Sequence, residues 1–318
     1  MRPIGGELEL KQDNYNVYFT DSGRSSLKLF LRSDNQNCKY LIPDFICSVV
    51  EQILIEENID YEFYHVNSDL SIDPKSVNDR AYDVLYVINY FGIKNRLDGI
   101  NLKEKIILED SVFDFEISDF SNHYKWFAFN SYRKFTHVSD GSMIKTNMPI
   151  QENLIIDKEA NFVKIKCKAK DVKYNYLYNK MFDEKAYLTL FSGGEHEINK
   201  NNEICRISNS TLKHLVEYEQ IACQRIRKKR FEVLYEFLGS ICVNKTTRSY
   251  SFFVVRIQHR DEIQKKLVKN NIFLPVHWKK KDASNLLYDQ LLSIPLFETY
   301  SNEEFYYLVE NIKRIFSN

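Results

Sequence analysis

Short apolar runs alternate with amphipathic stretches over the first half of the chain. Runs rich in β-branched and aromatic residues predict strands at residues 16–20, 40–42, 60–66, 84–90, 105–108 and 125–129. Helical patterns lie between the early strands, at residues 25–32 and 47–58. Alternation of this kind is typical of α/β proteins. We therefore expect a doubly wound, mainly parallel sheet in residues 1–148.

The pattern changes after Met148. A long helix is predicted at residues 210–238, with an apolar face formed by Leu212, Leu215, Val216, Tyr218, Ile221, Ala222 and Ile226. Further strands are predicted at 250–257 and 272–276, and further helices at 260–270 and 302–316. We expect residues 149–318 to form a smaller C-terminal α+β domain, connected through the long helix.

Composition limits the classes of function. The 318 residues are 44% hydrophobic, enough for a substantial core. Basic and acidic residues both number 44, so the uniform attraction that drives non-specific nucleic-acid binding is missing. No segment approaches the apolar length of a membrane span, and the amino terminus has no apolar signal core. We expect a cytoplasmic protein that binds neither nucleic acid nor membrane.

Cysteine and histidine spacing gives no sign of a metal site. The six cysteines show no CxxC pair and are expected to be reduced packing residues, and the seven histidines lack ligand spacing. The basic run from Arg225 to Arg230 lies on the predicted long helix and is expected to form its solvated face.

Three features lie at predicted strand ends, where open α/β sheets bind ligands. Asp110 follows the fifth strand and Lys134 follows the sixth. After the first strand, Ser22, Gly23 and Arg24 open a helix, whose free backbone amides can cradle a phosphate. A phosphate cradle, a carboxylate for a ring nitrogen and an imine-forming amine are what pyridoxal phosphate needs.

Each feature also has an ordinary structural interpretation. Lys134 can be a solvated loop lysine, Asp110 a helix N-cap, and the glycine turn a simple capped turn. Their order along the chain favours the cofactor site.

Several segments match one family in order and spacing. They are residues 4–7, 22–27, 42–47, 89–92, 108–111, 131–134, 140–141, 275–278 and 292–296. With these segments the chain resembles the DegT/DnrJ/EryC1/StrS sugar aminotransferases, which are pyridoxal-phosphate enzymes of the aspartate-aminotransferase type, fold type I.

The resemblance implies roles for individual residues. Lys134 would form the imine with the cofactor and move the substrate proton, and Asp110 would keep the ring nitrogen protonated. Phe45 would stack on the ring. The remaining cofactor contacts would come from Ser22, Gly23, Arg24, Ser131 and Asn89.

Substrate contacts are the weakest part of the resemblance. His277 and Trp278, with Lys279 to Lys281, could meet a nucleotide diphosphate and base, although a wet loop is the commoner structure.

The chain departs from the family at two places. Where the family carries a His or Gln facing the ring hydroxyl, this chain has Phe113, so the phenolate would need Asn89 or a water as its partner. The Asn/Arg-rich segment that reaches the neighbouring subunit is not recognisable, and Asn175 is a weak substitute.

The resemblance implies an aminotransferase that uses pyridoxal phosphate to move an amino group from an amino acid, with glutamate as donor, to a nucleotide-linked keto sugar. Such an enzyme would serve the synthesis of surface polysaccharide or glycoconjugate and would act as a homodimer. Two alternatives stay open: the same cofactor used for other chemistry or a non-sugar substrate, and a non-catalytic scaffold or binding subunit.

Overall fold

A seven-stranded sheet forms the centre of the computed structural model, which describes residues 14–117, 120, 124–278 and 284–316. Its strands are β1 (Asn16–Thr20), β2 (Lys39–Pro43), β3 (Asp60–Tyr64), β4 (Val84–Ile88), β5 (Ile106–Asp110), β6 (Lys125–Phe129) and β7 (Ser142–Thr146). In space they follow the order β1-β7-β6-β5-β4-β2-β3. The six strands predicted in this half of the chain are all present.

Six strands of the sheet run in one direction. The strands from β3 across to β6 pair in parallel, and β7 is antiparallel to both β6 and β1. β4 is buried along its whole length, as a strand covered on both faces should be. The predicted mainly parallel α/β sheet is confirmed, and the carboxyl ends of six strands meet at one edge.

The sequence pattern does not predict β7, because two of the three buried positions of this strand are polar. Ser142 and Thr146 are fully buried. Their hydroxyls donate to the backbone carbonyls of Asn130 at 2.6 Å and Trp126 at 2.8 Å. A strand that buries hydroxyls in this way lacks the apolar alternation on which the prediction relies.

Helices flank the sheet and make up most of the second half of the chain. They are α1 (Gly23–Arg32), α2 (Ser48–Glu56), α3 (Pro74–Asn78), α4 (Asn161–Asn179), α5 (Glu184–Lys200), α6 (Asn209–Glu217), α7 (Gln220–Leu238), α8 (Arg260–Val268), α9 (Leu287–Gln290) and α10 (Asn302–Phe316). Short strands β8 (Ile155–Ile156) and β9 (Ile204–Cys205) pair in parallel, and β10 (Phe252–Arg256) pairs antiparallel with β11 (Leu291–Pro295). Within the described part of the chain, no helix has the length and apolarity needed to cross a membrane.

The single long helix predicted at residues 210–238 is wrong. Tyr218 has extended backbone angles and divides the stretch into α6 and α7. The predicted apolar face does not form a core, since Val216 is 88% exposed and Ile221 is 78% exposed. The break rotates the second helix, so that Phe231, Leu234 and Leu238 face inward instead.

The strand predicted at residues 272–276 is also wrong. These residues have no regular secondary structure. The partner of β10 is β11, which comes later in the chain. The backbone near residue 275 still touches β11, because the Ser293 amide donates to the Pro275 carbonyl at 3.2 Å.

Two large apolar clusters fill the interior. One surrounds the seven-stranded sheet and includes Phe252 and Leu291 from the second half of the chain. The other lies among α7, α8, α10 and the pair β10–β11. The predicted division near residue 148 stays a prediction.

Part of the basic run on α7 is buried, which corrects the expectation of a solvated face. Arg227 is 1% exposed, and its Nε lies 2.6 Å from Glu298 Oε2. Its Nη2 donates to the Phe135 carbonyl at 2.6 Å. Arg230 is also buried and donates to the carbonyls of Phe297 and Tyr300. These two arginines tie α7 to segments far away in sequence.

Replacing Arg227 with Met should lower the free energy of unfolding by about 3 kcal/mol, because Glu298 would keep a half-buried charge without its partner. Urea denaturation measures this loss. The matched control is Arg225→Met on the same helix, where the side chain is exposed and the change should stay within about 0.5 kcal/mol. Equal losses in both variants would contradict a structural role for Arg227.

Candidate active site

A cleft of about 710 Å³ opens at the edge where the carboxyl ends of the strands meet. Its wall includes seven of the predicted site residues: Ser22, Gly23, Arg24, Asp110, Ser131, Lys134 and Trp278. A more open depression of about 1100 Å³ lies between residues 65–68 and 256–290. Of these two described cavities, the cleft is the one that gathers the acid, the amine and a helix N-terminus predicted from the strand ends.

One end of the cleft is the N-terminus of α1. Ser22 caps this helix, and its Oγ accepts from the Ser25 amide at 3.2 Å. Gly23 and Arg24 occupy the first two helical positions, whose amides have no acceptor within a helix. Ser131 is buried beside them in the same wall. Two amides and a hydroxyl at a helix N-terminus form a site for an anion.

Asp110 ends β5 and reaches the cleft with both carboxylate oxygens hydrogen-bonded. The Tyr86 hydroxyl donates to Oδ2 at 2.8 Å, and the Val112 amide donates to Oδ1 at 3.0 Å. Burial raises the pKa of Asp110 to about 6, although these donors and Lys134 act to lower it. A carboxyl of this kind favours a cationic or proton-bearing neighbour.

Lys134 closes a short turn after β6, where its amide donates to the Ser131 carbonyl at 3.0 Å. The side chain is exposed toward the cleft, with Nζ 6.0 Å from the centre of the Phe113 ring. Protein atoms crowd around the amine and displace water, and Arg133 adds positive charge, so the pKa of Lys134 is lowered. A neutral amine is the form that attacks a carbonyl carbon.

Phe45 does not reach the wall of the cleft. It is fully buried, with its ring centroid 4.9 Å from those of Trp278 and Tyr288. Trp278 lies between Phe45 and the cleft and contributes to the wall. The aromatic rings that line the cleft include Trp278, Phe113 and Phe129.

Asn89 is buried away from the cleft. Its Nδ2 donates to Ser111 Oγ at 2.9 Å, and its Oδ1 accepts from the Asn95 amide at 3.0 Å. These bonds fix the loop after β4 and leave the amide directed at protein groups. The wall lacks Asn89.

His277 also lies behind the wall, against Phe113. Its Nδ1 lies 2.9 Å from Ser293 Oγ, and its ring meets Phe91 and Phe252. Burial, with the charge of Lys134, lowers the pKa of His277 to about 3, so it is neutral. Lys279 to Lys281 and residues 4–7 lie outside the described residues.

Phe113 occupies the third side of the cleft. It is buried and packs against Phe91, His277 and Trp278. Asn175 is bonded within α4, from its Nδ2 to the Asp171 carbonyl, and does not line the cleft. The cleft therefore has a polar end at α1, a carboxylate at β5 and an apolar side.

Sequence reasoning missed two wall residues that bond or neighbour the predicted acid and amine. Tyr86 is fully buried, and its hydroxyl holds Asp110. A tyrosine within the otherwise aliphatic strand β4 was the available signal, since a buried hydroxyl needs a partner. Arg133 lies beside Lys134 and lines the cleft, and a basic neighbour of a candidate lysine was its signal.

The chain matches solved structures of aminotransferases over nearly its whole length. An aminotransferase of the DegT DnrJ EryC1 StrS type from Brucella abortus is 12% identical with a TM-score of 0.64, covering 95% of this chain and 86% of that chain. PseC from Helicobacter pylori, an aminotransferase involved in the biosynthesis of pseudoaminic acid, is 13% identical with a TM-score of 0.60, covering 95% and 86%. NtdA from Bacillus subtilis, solved with bound cofactor PMP, is 12% identical with a TM-score of 0.60, covering 95% and 73%.

No protein-family model matches the sequence, and no curated protein matches it. At this level of identity the likeness shows the fold. It confirms the fold that the motifs implied, a mainly parallel α/β sheet shared with the sugar aminotransferases.

The raised pKa of Asp110 predicts how stability depends on pH. The ordinary value of 3.8 rises to about 6 on folding, so the folded protein holds this proton more tightly than the unfolded chain. As the pH rises from about 4 to 7, the stability contributed by Asp110 should therefore fall. Asp110→Asn does not titrate, so its stability relative to the original protein should rise by about 3 kcal/mol across this range.

Urea denaturation of the protein without added ligand, at both ends of the range, measures this change. Asp98→Asn, at an exposed carboxylate, is the control and should stay within about 0.5 kcal/mol at either pH. A constant difference between Asp110→Asn and the original protein would contradict the raised pKa.

Proposed function

We propose that this protein is a pyridoxal-phosphate-dependent aminotransferase that moves an amino group from an amino acid, with glutamate as donor, to a nucleotide-linked keto sugar. The observation that carries the proposal is the convergence of Lys134, Asp110 and the α1 N-terminus in one cleft. The fold shared with sugar aminotransferases supports the sugar as acceptor. The proposed role is in surface polysaccharide or glycoconjugate synthesis.

The residues of the cleft fit pyridoxal phosphate at its phosphate and at its ring nitrogen. The amides of Gly23 and Arg24 and the hydroxyls of Ser22 and Ser131 would hold the phosphate at the positive end of α1. Asp110 would accept a hydrogen bond from the protonated ring nitrogen on the oxygen lone pairs that Tyr86 and Val112 leave free. When bound, the cofactor supplies an electron sink for the bonds of the substrate α-carbon.

Asp110 acts by holding a positive charge in place. Its pKa of about 6 leaves roughly a tenth of the population protonated at pH 7. A protonated ring nitrogen within hydrogen-bond distance would lower that pKa and complete the ion pair. The Tyr86 hydroxyl favours the same ionised state, because it donates to the carboxylate.

Lys134 would attach the cofactor and move protons. The crowded surroundings and Arg133 lower its pKa, which favours the neutral amine that both tasks require. Its place in the cleft, one turn from Ser131, leaves it on the same side as the phosphate site.

The hydroxyl side of the ring fits the family pattern less well. Phe113 can neither donate nor accept a hydrogen bond, and Asn89 is committed to Ser111 and Asn95. On this proposal Phe113 and Trp278 provide an apolar wall for the ring instead. The stacking role of Phe45 and the substrate contacts of His277 stay predictions.

Purified protein mixed with pyridoxal phosphate should show the visible absorption band of a lysine-bound cofactor, and glutamate should bleach it. Borohydride reduction followed by peptide mapping should place the cofactor on Lys134. Lys134→Arg should lose the band, whereas Lys145→Arg, at a lysine outside the cleft, should keep it.

Each outcome separates the alternatives. A band indifferent to every amino acid tested would support other chemistry with the same cofactor. No band at all would support a scaffold or binding subunit and would overturn the proposal. A label on another lysine would overturn the assignment of Lys134.

We also propose that the protein is a homodimer. Large apolar side chains stand out from α6 and α7, with Val216 and Ile221 among the most exposed apolar residues described. Leu212 and Ile226 are exposed nearby in sequence on the same two helices. Exposed apolar side chains grouped in this way are typical of a surface buried in an assembly.

Light scattering should give twice the mass of one 37.9 kDa chain. The double variant Val216→Glu and Ile221→Glu should dissociate the dimer, because two charges would be buried in the interface. Tyr306→Glu, at an exposed aromatic residue of α10, is the control and should stay dimeric. A monomeric original protein that binds the cofactor tightly would contradict the homodimer.

A further inference from the structure

Glu195 of α5 joins three basic side chains that come from different parts of the chain. Its Oε1 lies 2.5 Å from Lys166 Nζ of α4 and 3.4 Å from Arg133 Nη1. Its Oε2 lies 3.5 Å from Arg24 Nη2 of α1. Arg24 and Arg133 also line the cleft, so the cluster reaches from the helical pair α4–α5 to the phosphate end of the site.

The cluster has more positive than negative charge. Burial acts to raise the pKa of Glu195, but Arg133, Lys166 and Arg24 outweigh it and lower the pKa to about 2. Glu195 is therefore ionised, and the three cations and one carboxylate leave a surplus of two positive charges. Asp21 lies behind Ser22, and burial raises its pKa to about 7, so it offsets less than one full charge.

Arg133 also retains a donor that Glu195 does not use, whereas Arg24 Nη1 donates to Asn199 Oδ1. Both guanidinium contacts to Glu195, at 3.4 and 3.5 Å, exceed the usual length of a charge-assisted hydrogen bond. The Arg133 Nε is buried and has no hydrogen-bond partner among the residues that the structure describes. An unpaired buried donor is costly unless a ligand satisfies it.

We propose that Arg133 and Arg24, positioned by Glu195 and Lys166, form a binding site for a dianionic phosphate monoester, which is the phosphate of the cofactor. This inference rests on the proposed function. A phosphate monoester carries between about one and a half and two negative charges near neutral pH, which matches the surplus of the cluster. Planar guanidinium groups suit phosphate oxygens, and the amides at the α1 N-terminus face the same end of the cleft.

The test compares two ligands that differ only in the phosphate. Dissociation constants for pyridoxal phosphate and for pyridoxal are measured from the visible absorption band, with inorganic phosphate as competitor. Arg133→Gln should weaken the binding of pyridoxal phosphate about 10- to 100-fold, since one charge-assisted contact to the phosphate is lost, and should affect the binding of pyridoxal much less. Arg24→Gln, at a more exposed side chain, should act in the same direction.

Arg32→Gln is the matched control. Arg32 lies on α1 as Arg24 does, but it pairs with Glu57 outside the cleft, so the variant should bind both ligands normally. Inorganic phosphate should displace pyridoxal phosphate from the original protein and have less effect on Arg133→Gln.

Two results would overturn the inference while the proposed function stands. In one, Arg133→Gln and Arg24→Gln bind pyridoxal phosphate as tightly as the original protein. In the other, both variants lose pyridoxal and pyridoxal phosphate to the same extent, which would make the arginines structural. If the original protein gives no band with either ligand, the proposed function itself is wrong, and the inference is overturned with it.

Discussion

The common direction of β1, β5 and β6 is the constraint on which the cleft depends. Because β5 and β6 pair in parallel with Asp110 opposite Phe129, the chain leaves both strands at the same edge. β7 is antiparallel to both β6 and β1, so β1 has the same direction as β6, and α1 begins at the same edge. A reversed β6 would carry Lys134 away by the length of a five-residue strand, about 16 Å. Sheet direction thus decides which side chains can meet.

The charged forms of the acid and the amine at this edge are both destabilised by burial. Burial raises the pKa of Asp110 and lowers the pKa of Lys134, so both charged forms are disfavoured by the same crowded surroundings. Tyr86 and Val112 reduce the cost at Asp110 without removing it. Opposed shifts of this kind, in a cleft, are characteristic of functional sites. Arg227 shows the other solution, a buried charge matched by a carboxylate and a carbonyl.

Local patterns predicted the first half of the fold well and the second half less well. β4 and β6 are strongly apolar, and α1 begins with a serine cap, so the local sequence of each element is enough to predict its structure. Asp110 and Lys134 were predicted as site residues because they follow the ends of predicted strands. By contrast, α4 buries Lys166 along its inner face, and β7 buries hydroxyls. In these elements distant partners satisfy polar groups, and a periodicity of apolar residues cannot reveal them.

The break between α6 and α7 illustrates the same limit. The apolar period across residues 210–226 is real, yet the backbone turns at Tyr218, and Val216 and Ile221 on either side of the turn face outward. Sequence periodicity identifies a face but does not identify what covers it. Arg133 is a similar case, since its partner Glu195 lies sixty-two residues later. Neither relation is visible in local sequence.

The proposed cofactor would have two polar ends and one apolar side in this cleft. The Phe113 side chain cannot form a hydrogen bond, Asn89 is directed at protein groups, and neutral His277 bonds Ser293. These three side chains would therefore offer no hydrogen bond to the ring hydroxyl, and they would have little influence through it on the protonation of the amine. Arg133 and Arg24 both lower the pKa of Lys134 from the phosphate end. Bound phosphate would neutralise part of that charge, so cofactor binding and the protonation of Lys134 are coupled through the same two arginines.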